Sequence, residues 1–289
     1  MQPQKKIDYA EILVLGKCIC KCFYCLGNEM VKASKYNQLS EHFSEWKNFP
    51  EFIAQCKNED IRKMYVSSVN TDPFLYKYIE ELVAYLRTEF ELVGIRGNAA
   101  ALKPELYPVI QNCNEETSIS LNAMTQNISV EIAGNAAKYE NTNLQYFLEN
   151  EERTFKERKE TRKIRVSIVV NRYNVVEIPY ILDWLSSFNV KQPVINYVQL
   201  RKIYKYSDKK KFAEDRTAYD ILKNHFKESF ELDSNFHESE IYNWEGPEAN
   251  LKVSFWDDVF VPESIKSLNY FTSGVISNDN LLVPGFENK

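Results

Sequence analysis

Residues 16–30, GKCICKCFYCLGNEM, bring Cys18, Cys20, Cys22 and Cys25 within eight positions, four of the chain's six cysteines. Thiols at that density point to metal ligation or to dithiol chemistry, and each has a spacing rule. A structural zinc ion is wrapped from two sides by two ligand pairs separated by a longer loop. No second pair exists here: Cys56 and Cys113 stand alone on different predicted elements, where a small buried hydrophobe is the ordinary role. Cys22 and Cys25 in CFYC have the C-x-x-C form of a redox dithiol, but LGN interrupts the helix expected after the second cysteine. Zinc and dithiol chemistry stay as alternatives for these thiols.

The elements that must position the loop are legible as a rhythm. Short β-branched runs alternate with longer segments of helical periodicity, the pattern of βα units around a parallel sheet. Strands are predicted at 8–14, 62–68, 91–96, 117–122, 163–170 and 194–201. A helix is predicted at 74–88, where Phe74, Tyr78, Leu82, Tyr85 and Leu86 share one face, and another at 175–188, with Pro179 near its start. The charged run 148–163 has no apolar stripe wide enough for a core and reads as a solvated helix. From about residue 227 the pattern changes to short β-like runs, among them LKVSFWDDVFVP, NYFTSGVIS and LLVPGF, separated by Pro, Gly, Asn and Asp. Two units are expected: a core of six βα units over 1–226 and a β-rich extension over 227–289.

Composition bounds the rest. A chain of 289 residues with 44% apolar side chains can bury a large core within one domain. The net charge of -5 gives no overall positive field for nucleic acid, and no run approaches ~18 consecutive apolar residues. The start, MQPQKKIDYAEILVLGKC, is too interrupted for a secretory signal. A cytoplasmic protein is expected, with no membrane or general nucleic-acid partner, and in that compartment clustered thiols act as ligands or catalysts rather than as a disulfide scaffold.

Taken as Cys18, Cys22 and Cys25, the loop has the form C-x3-C-x2-C with Tyr24 just before the last cysteine. This resembles the signature of the radical S-adenosylmethionine (radical SAM) superfamily. Three thiolates on one loop can hold three irons of a [4Fe–4S] cube and leave the fourth without a protein ligand. The resemblance implies that this open iron chelates S-adenosylmethionine, and that the reduced cluster cleaves it to a 5′-deoxyadenosyl radical that abstracts hydrogen from a substrate. It also implies a partial (β/α)6 barrel, here with a small β-rich C-terminal extension closing the barrel mouth. By the family pattern Cys20 is a spectator.

The resemblance extends unevenly to other positions. Where the family carries Gly-Gly-Glu-Pro after the second strand, this chain has Asn70, Thr71, Asp72 and Pro73, a departure that marks a divergent branch. Asp72 would meet the methionyl ammonium of S-adenosylmethionine, with Asn70 and Thr71 beside it; the same three residue types also cap helices. Ser120 and Asn122 end the fourth strand, where the family places ribose contacts; Asn171 ends the fifth, and Gln199 and Arg201 the sixth. Tyr24 would lie beside the adenine. Each strand-end residue has a turn or cap as its alternative role. Arg96 and Asn98 end the third strand and could reach a substrate carboxylate or phosphate.

No cysteine follows Cys113 and only a few residues precede the first strand, so a single-cluster enzyme without auxiliary clusters is expected. The substrate is a peptide or small molecule, the reaction that of an oxidoreductase or transferase, and the electron donor a flavodoxin- or ferredoxin-type protein. Nucleotide chemistry like that of viperin-like enzymes is an alternative, and would need Arg96, Arg172, Arg201 and Lys202 to converge on a triphosphate. A zinc-binding module or a non-catalytic iron–sulfur interaction protein is the alternative from another class. No residue is assigned as a catalytic acid or base, and His42, His225 and His237 have no spacing that links them to the cysteines.

Overall fold

The computed structural model describes residues 7–25, 27, 37–158, 164–203, 211–236, 239–257 and 267–278. Six strands follow the chain in order: β1 Tyr9–Val14, β2 Lys63–Ser68, β3 Leu92–Asn98, β4 Thr117–Ser120, β5 Ile164–Val169 and β6 Ile195–Arg201. They lie side by side in that sequence, all parallel. This is the partial (β/α)6 barrel implied by the radical SAM resemblance.

Alternation along the strands gives the sheet two chemically different faces. Ala10, Ile12, Val14, Met64, Val66, Val93, Ile95, Ile119, Val166, Ile168 and Leu200 belong to the main apolar core. Helices α1 Phe49–Asn58, α2 Ile79–Glu89, α3 Tyr107–Asn112, α4 Gln126–Ala133, α5 Glu140–Arg158, α6 Ile178–Ser186 and α7 Ala213–Ser229 connect the strands, and all but α4 contribute side chains to that core. Of the residues between the core positions, Leu13 joins Leu15 and Phe271 in a second, small apolar cluster, and a set on β3 to β6 and the strand beside β6 is polar. Asn98, Ser120, Ser167, Gln199 and Ser254 stand in register across five adjacent strands, forming one continuous row.

The segment after α7 divides between both edges of this sheet. Strands β7 Leu232–Phe236, β8 Ser239–Glu245 and β9 Asn250–Trp256 extend the β6 edge, β9 running parallel to β6. Strand β10 Ser267–Phe271 runs parallel to β1 at the opposite edge, with β11 Val275–Ser277 antiparallel outside it. The order is β11-β10-β1-β2-β3-β4-β5-β6-β9-β8-β7, an open sheet of eleven strands. Phe255 and Tyr270 are fully buried in the core. Residues 258–266 and 279–289, with the LLVPGF run and Phe286, lie outside the described residues, as does His237.

Two helices differ from the periodicity. The expected helix 74–88 is a 3-10 turn, Pro73–Leu75, followed by α2. Tyr76 adopts an extended conformation between them because its ring is buried against Trp46 at 5.2 Å, its hydroxyl donates to the Glu41 carbonyl at 2.9 Å, and the next amide, of Lys77, donates to Leu39. These tertiary bonds outweigh one continuous helix. The charged helix begins earlier than its charges suggest: α5 buries Leu144, Phe147 and Leu148 along its first half, an i, i+3, i+4 stripe upstream of the charged run. Residues 159–163 of that run are outside the described set. Pro179 sits in the first turn of α6, where a missing N–H costs no helical bond. No helix among the described residues is long and apolar enough to cross a membrane.

Candidate functional site

The cysteine loop leaves β1 at the C-terminal edge of the parallel strands and is tied down at three points. At its start, the Gly16 amide donates to Asn70 Oδ1 at 3.2 Å and the Thr71 hydroxyl donates to the Lys17 carbonyl at 3.1 Å. Along its middle, the Lys21 and Phe23 amides donate to the carbonyls of Ala133 and Ile132, at 2.8 and 3.1 Å. Those carbonyls end α4 and have no partner within it, so loop and helix satisfy each other. Further on, the Cys25 amide closes a turn onto the Cys22 carbonyl at 3.0 Å. Gly27 follows where a Cβ would stand 2.6 Å from the Val69 carbonyl oxygen and 3.2 Å from Cys25 Sγ. Only glycine allows that approach.

None of the six cysteines is in a disulfide. Cys20 is buried with Ala123, Ile132, Ala133 and Ala137 in a small apolar cluster, whereas Cys18 is exposed and Cys22 and Cys25 are half-buried. The hydrogen bond with Cys20, helped by burial, holds the Cys18 thiol far above its ordinary range. Cys20 is pushed up to about 12: its bond with Cys18 lowers it, and its bond with Cys22 and burial together raise it by more. These thiols hydrogen-bond to one another, and among the described residues no three His, Cys, Asp or Glu side chains form a group that could hold a metal ion. Metal uptake would displace their protons. The donor set nevertheless suits iron: soft thiols on a loop pinned to β2 and α4, three of them reachable and the fourth turned into an apolar cluster.

After β2, Asn70 and Thr71 serve the start of the loop as described, and Ser68 Oγ donates to the Thr71 carbonyl at 2.5 Å. Asp72 is buried, accepts the Phe74 amide at 2.8 Å as the cap of the 3-10 turn, and is pushed up to about 7 by burial against the pull of backbone donors.

The ends of β4 and β5 are joined by a polar network. The Tyr24 hydroxyl donates to Asn122 Oδ1 at 2.6 Å. Asn174 Nδ2 donates to the Asn122 carbonyl at 2.7 Å, and Asn171 accepts the amides of Tyr173 and Asn174 while its own amide donates to Asn174 Oδ1. Glu177 accepts the Met124 amide at 3.0 Å. Asn171 is thus the centre of a turn, its Nδ2 bound to the Val169 carbonyl. Ser120 and Gln199 lie on the polar row, with Ser167 Oγ 3.4 Å from Gln199 Oε1. Arg201 ends β6, half-buried and in register with Val169 and Trp256.

Tyr24, Asn122 and Asn171 therefore come together with the loop, and Asn70, Thr71 and Asp72 border its start. Sequence alone does not single out Glu140, Asn174 or Glu177: Glu140 binds Asn122, Asn174 binds Asn122 and Asn171, and Glu177 binds the nearby Met124 and Thr125 amides. The only local signal was an acidic residue in the first turn of α5.

The basic side chains are committed elsewhere. Arg96 pairs with buried Glu11 at 2.8 Å and stacks over the Tyr65 ring at 4.0 Å. Arg172 pairs with Glu214 at 3.1 Å, and Lys202 with Asp220 at 2.5 Å.

No family model matches the chain, and no curated protein matches its sequence. Among solved structures it is similar to the radical S-adenosylmethionine methyltransferase TsrM from Kitasatospora setae, whose structure has cobalamin and a [4Fe-4S] cluster bound. That similarity has 8% identity and a TM-score of 0.48 over 83% of this chain and 43% of that one. It is also similar to methylornithine synthase (PylB), at 12% identity and a TM-score of 0.42 over 76% of this chain and 63% of that one. The chain spans less than two thirds of the length of either.

Proposed function

We propose that the chain is a radical SAM enzyme that holds a [4Fe–4S] cluster on Cys18, Cys22 and Cys25 and acts on a peptide or small-molecule substrate. One observation carries the reading. The C-x3-C-x2-C set lies on the loop leaving β1, at the C-terminal edge of six parallel strands in sequential order, while Cys20, the cysteine outside that spacing, is buried in an apolar cluster. When bound, the cluster and S-adenosylmethionine would supply a 5′-deoxyadenosyl radical for hydrogen abstraction.

The chain's own residues supply the frame. Asn70 and Thr71 hold the start of the loop, the last carbonyls of α4 its middle, and Asn122 the phenol of Tyr24. Asp72 would be the partner of the methionyl ammonium. A carboxylate offers about four acceptor positions, and the Phe74 and Asn98 amides use only some of them. Ser120, Asn122, Asn171, Gln199 and Arg201 line the strand ends from which the nucleoside part would be held.

The polar row of Asn98, Ser120, Ser167, Gln199 and Ser254 is neutral, and Arg96, Arg172 and Lys202 each have a carboxylate partner. That supports a substrate read through hydroxyl and amide contacts over a nucleoside triphosphate. A flavodoxin- or ferredoxin-type protein would deliver the electron.

The test is anaerobic reconstitution with iron and sulfide, followed by S-adenosylmethionine and a strong reductant. The parent protein is expected to release 5′-deoxyadenosine and the Cys18→Ala, Cys22→Ala, Cys25→Ala triple variant none. Failure of the parent to take up iron and sulfide, or stoichiometric zinc in its place, would overturn the reading.

A further inference from the structure

Glu140 opens α5, yet its side chain is fully buried. A carboxyl in such a place needs donors around it. It has four: the Asn122 amide at 2.9 Å, the Ala123 amide at 3.1 Å and Ser129 Oγ at 2.8 Å reach Oε1, and Asn122 Nδ2 reaches Oε2 at 2.7 Å. When ionised, the carboxylate only accepts, so the nitrogen of the Asn122 amide faces it. The amide oxygen then has one orientation left, and in that orientation it takes the Tyr24 hydroxyl at 2.6 Å. The Asn122 carbonyl is used as well, by Asn174. Every polar group of Asn122 is engaged, so its position is fixed on all sides.

Tyr24 stands between Cys22 and Cys25 in the chain, and its ring meets Phe23 edge-on at 5.3 Å. The α4 carbonyls hold the loop only as far as Phe23. Beyond that point, the bond to Asn122 ties the cysteine-bearing turn to the end of β4.

We propose that Glu140 is a positioning residue for the cysteine loop: by holding Asn122 in one amide orientation it anchors Tyr24, and through Tyr24 the turn that carries Cys22 and Cys25. What the loop carries rests on the radical SAM reading; the chain of bonds from Glu140 to Tyr24 does not.

The test uses the metal-free full-length chain and follows alkylation of each cysteine by N-ethylmaleimide, read peptide by peptide by mass spectrometry. Glu140→Gln keeps the shape but presents an NH2 donor to Asn122, so the amide turns and the bond to Tyr24 reverses, the Asn122 NH2 now donating to the phenol oxygen in a weaker contact. Cys22 and Cys25 are expected to react about threefold faster, the effect of weakening one strong hydrogen bond. Cys56 and Cys113, buried in the core, should keep the parent rate. Tyr24→Phe, which removes the bond outright, should raise both rates about tenfold, and adding Glu140→Gln to it should change nothing further. Faster labelling of all four cysteines together would mean general loosening and would overturn the proposal. So would parent rates at Cys22 and Cys25 in a folded Glu140→Gln. Tyr24→Phe leaves the donors around Glu140 in place and carries the test if Glu140→Gln does not fold. A parent protein that takes up no iron sinks the radical SAM reading and leaves this result standing.

Discussion

Replacing Gly27 by alanine tests whether the cysteine loop must touch the end of β2. The new methyl would lie 2.6 Å from the Val69 carbonyl oxygen and 2.8 Å from Asn70 Cα, both backbone atoms with no rotamer to change. Reaching the 3.4 Å of ordinary contact requires the two segments to part by roughly 0.8 Å. Overpacking of this kind costs about 1–3 kcal/mol. The cheapest relief moves the loop, since β2 is paired on both sides, and Cys25 Sγ, 3.2 Å from the same methyl, moves with it. The assay is iron and sulfide per chain after anaerobic reconstitution, with thermal melting of the same samples. Gly27→Ala is expected to lose most of its iron. The control is Gly246→Ala, in the β8–β9 hairpin at the far edge of the sheet, whose methyl would meet Ser186 Oγ at 2.2 Å and the Ala249 carbonyl at 2.7 Å. That variant should melt earlier and keep parent iron content. Full iron in Gly27→Ala, or equal iron loss in both variants, would refute the reasoning.

Single substitutions should separate the cysteines: Cys18→Ala, Cys22→Ala and Cys25→Ala each abolish the iron–sulfur absorbance, while Cys20→Ala keeps it and lowers the melting temperature slightly, having removed only a buried sulfur. Burial raises Glu140 from 4.5 in the unfolded chain to about 7, so the folded state binds more protons between those values and stability from this group falls as pH rises through that window. The fall is on the order of 3 kcal/mol, and the parent's melting temperature should decline against pH more steeply than that of Glu140→Gln. Removing the Glu11 carboxylate with Glu11→Gln leaves the Arg96 guanidinium without its ion partner and should cost about 3–5 kcal/mol in urea unfolding; a loss under 1 kcal/mol would show that solvent already screens the pair.

The strands were legible because a parallel sheet covered by helices needs near-continuous apolar runs. IRVSIV and KMYVSS advertise themselves in that way, and their observed limits fall within two residues of the expected ones. Helix limits were less legible, since Tyr76 breaks a periodic segment for reasons that lie in Trp46, Glu41 and Leu39, well upstream in the chain. The division of the C-terminal strands between two sheet edges has no local signature either. β9 and β10 are both short apolar runs, and nothing within them says which edge will accept them.

The cysteines were legible because their spacing is itself the signal, whereas Glu140 was not, because its meaning depends on where Asn122 stands. From sequence alone, Asn122 and Tyr24 are two separate contacts expected for a bound nucleoside; in the structure the Tyr24 hydroxyl donates to Asn122 Oδ1 at 2.6 Å. That changes how variants at either position should be understood. Substituting Asn122 would remove a proposed nucleoside contact and the acceptor that anchors Tyr24 at once, and the two effects separate only when Tyr24→Phe is measured beside it. Buried polar networks of this kind add little net stability when complete and are destabilising when one member is removed. Their value here is that Asn122 has one orientation, and with it the loop after β1 has one path over the ends of β4 and β5.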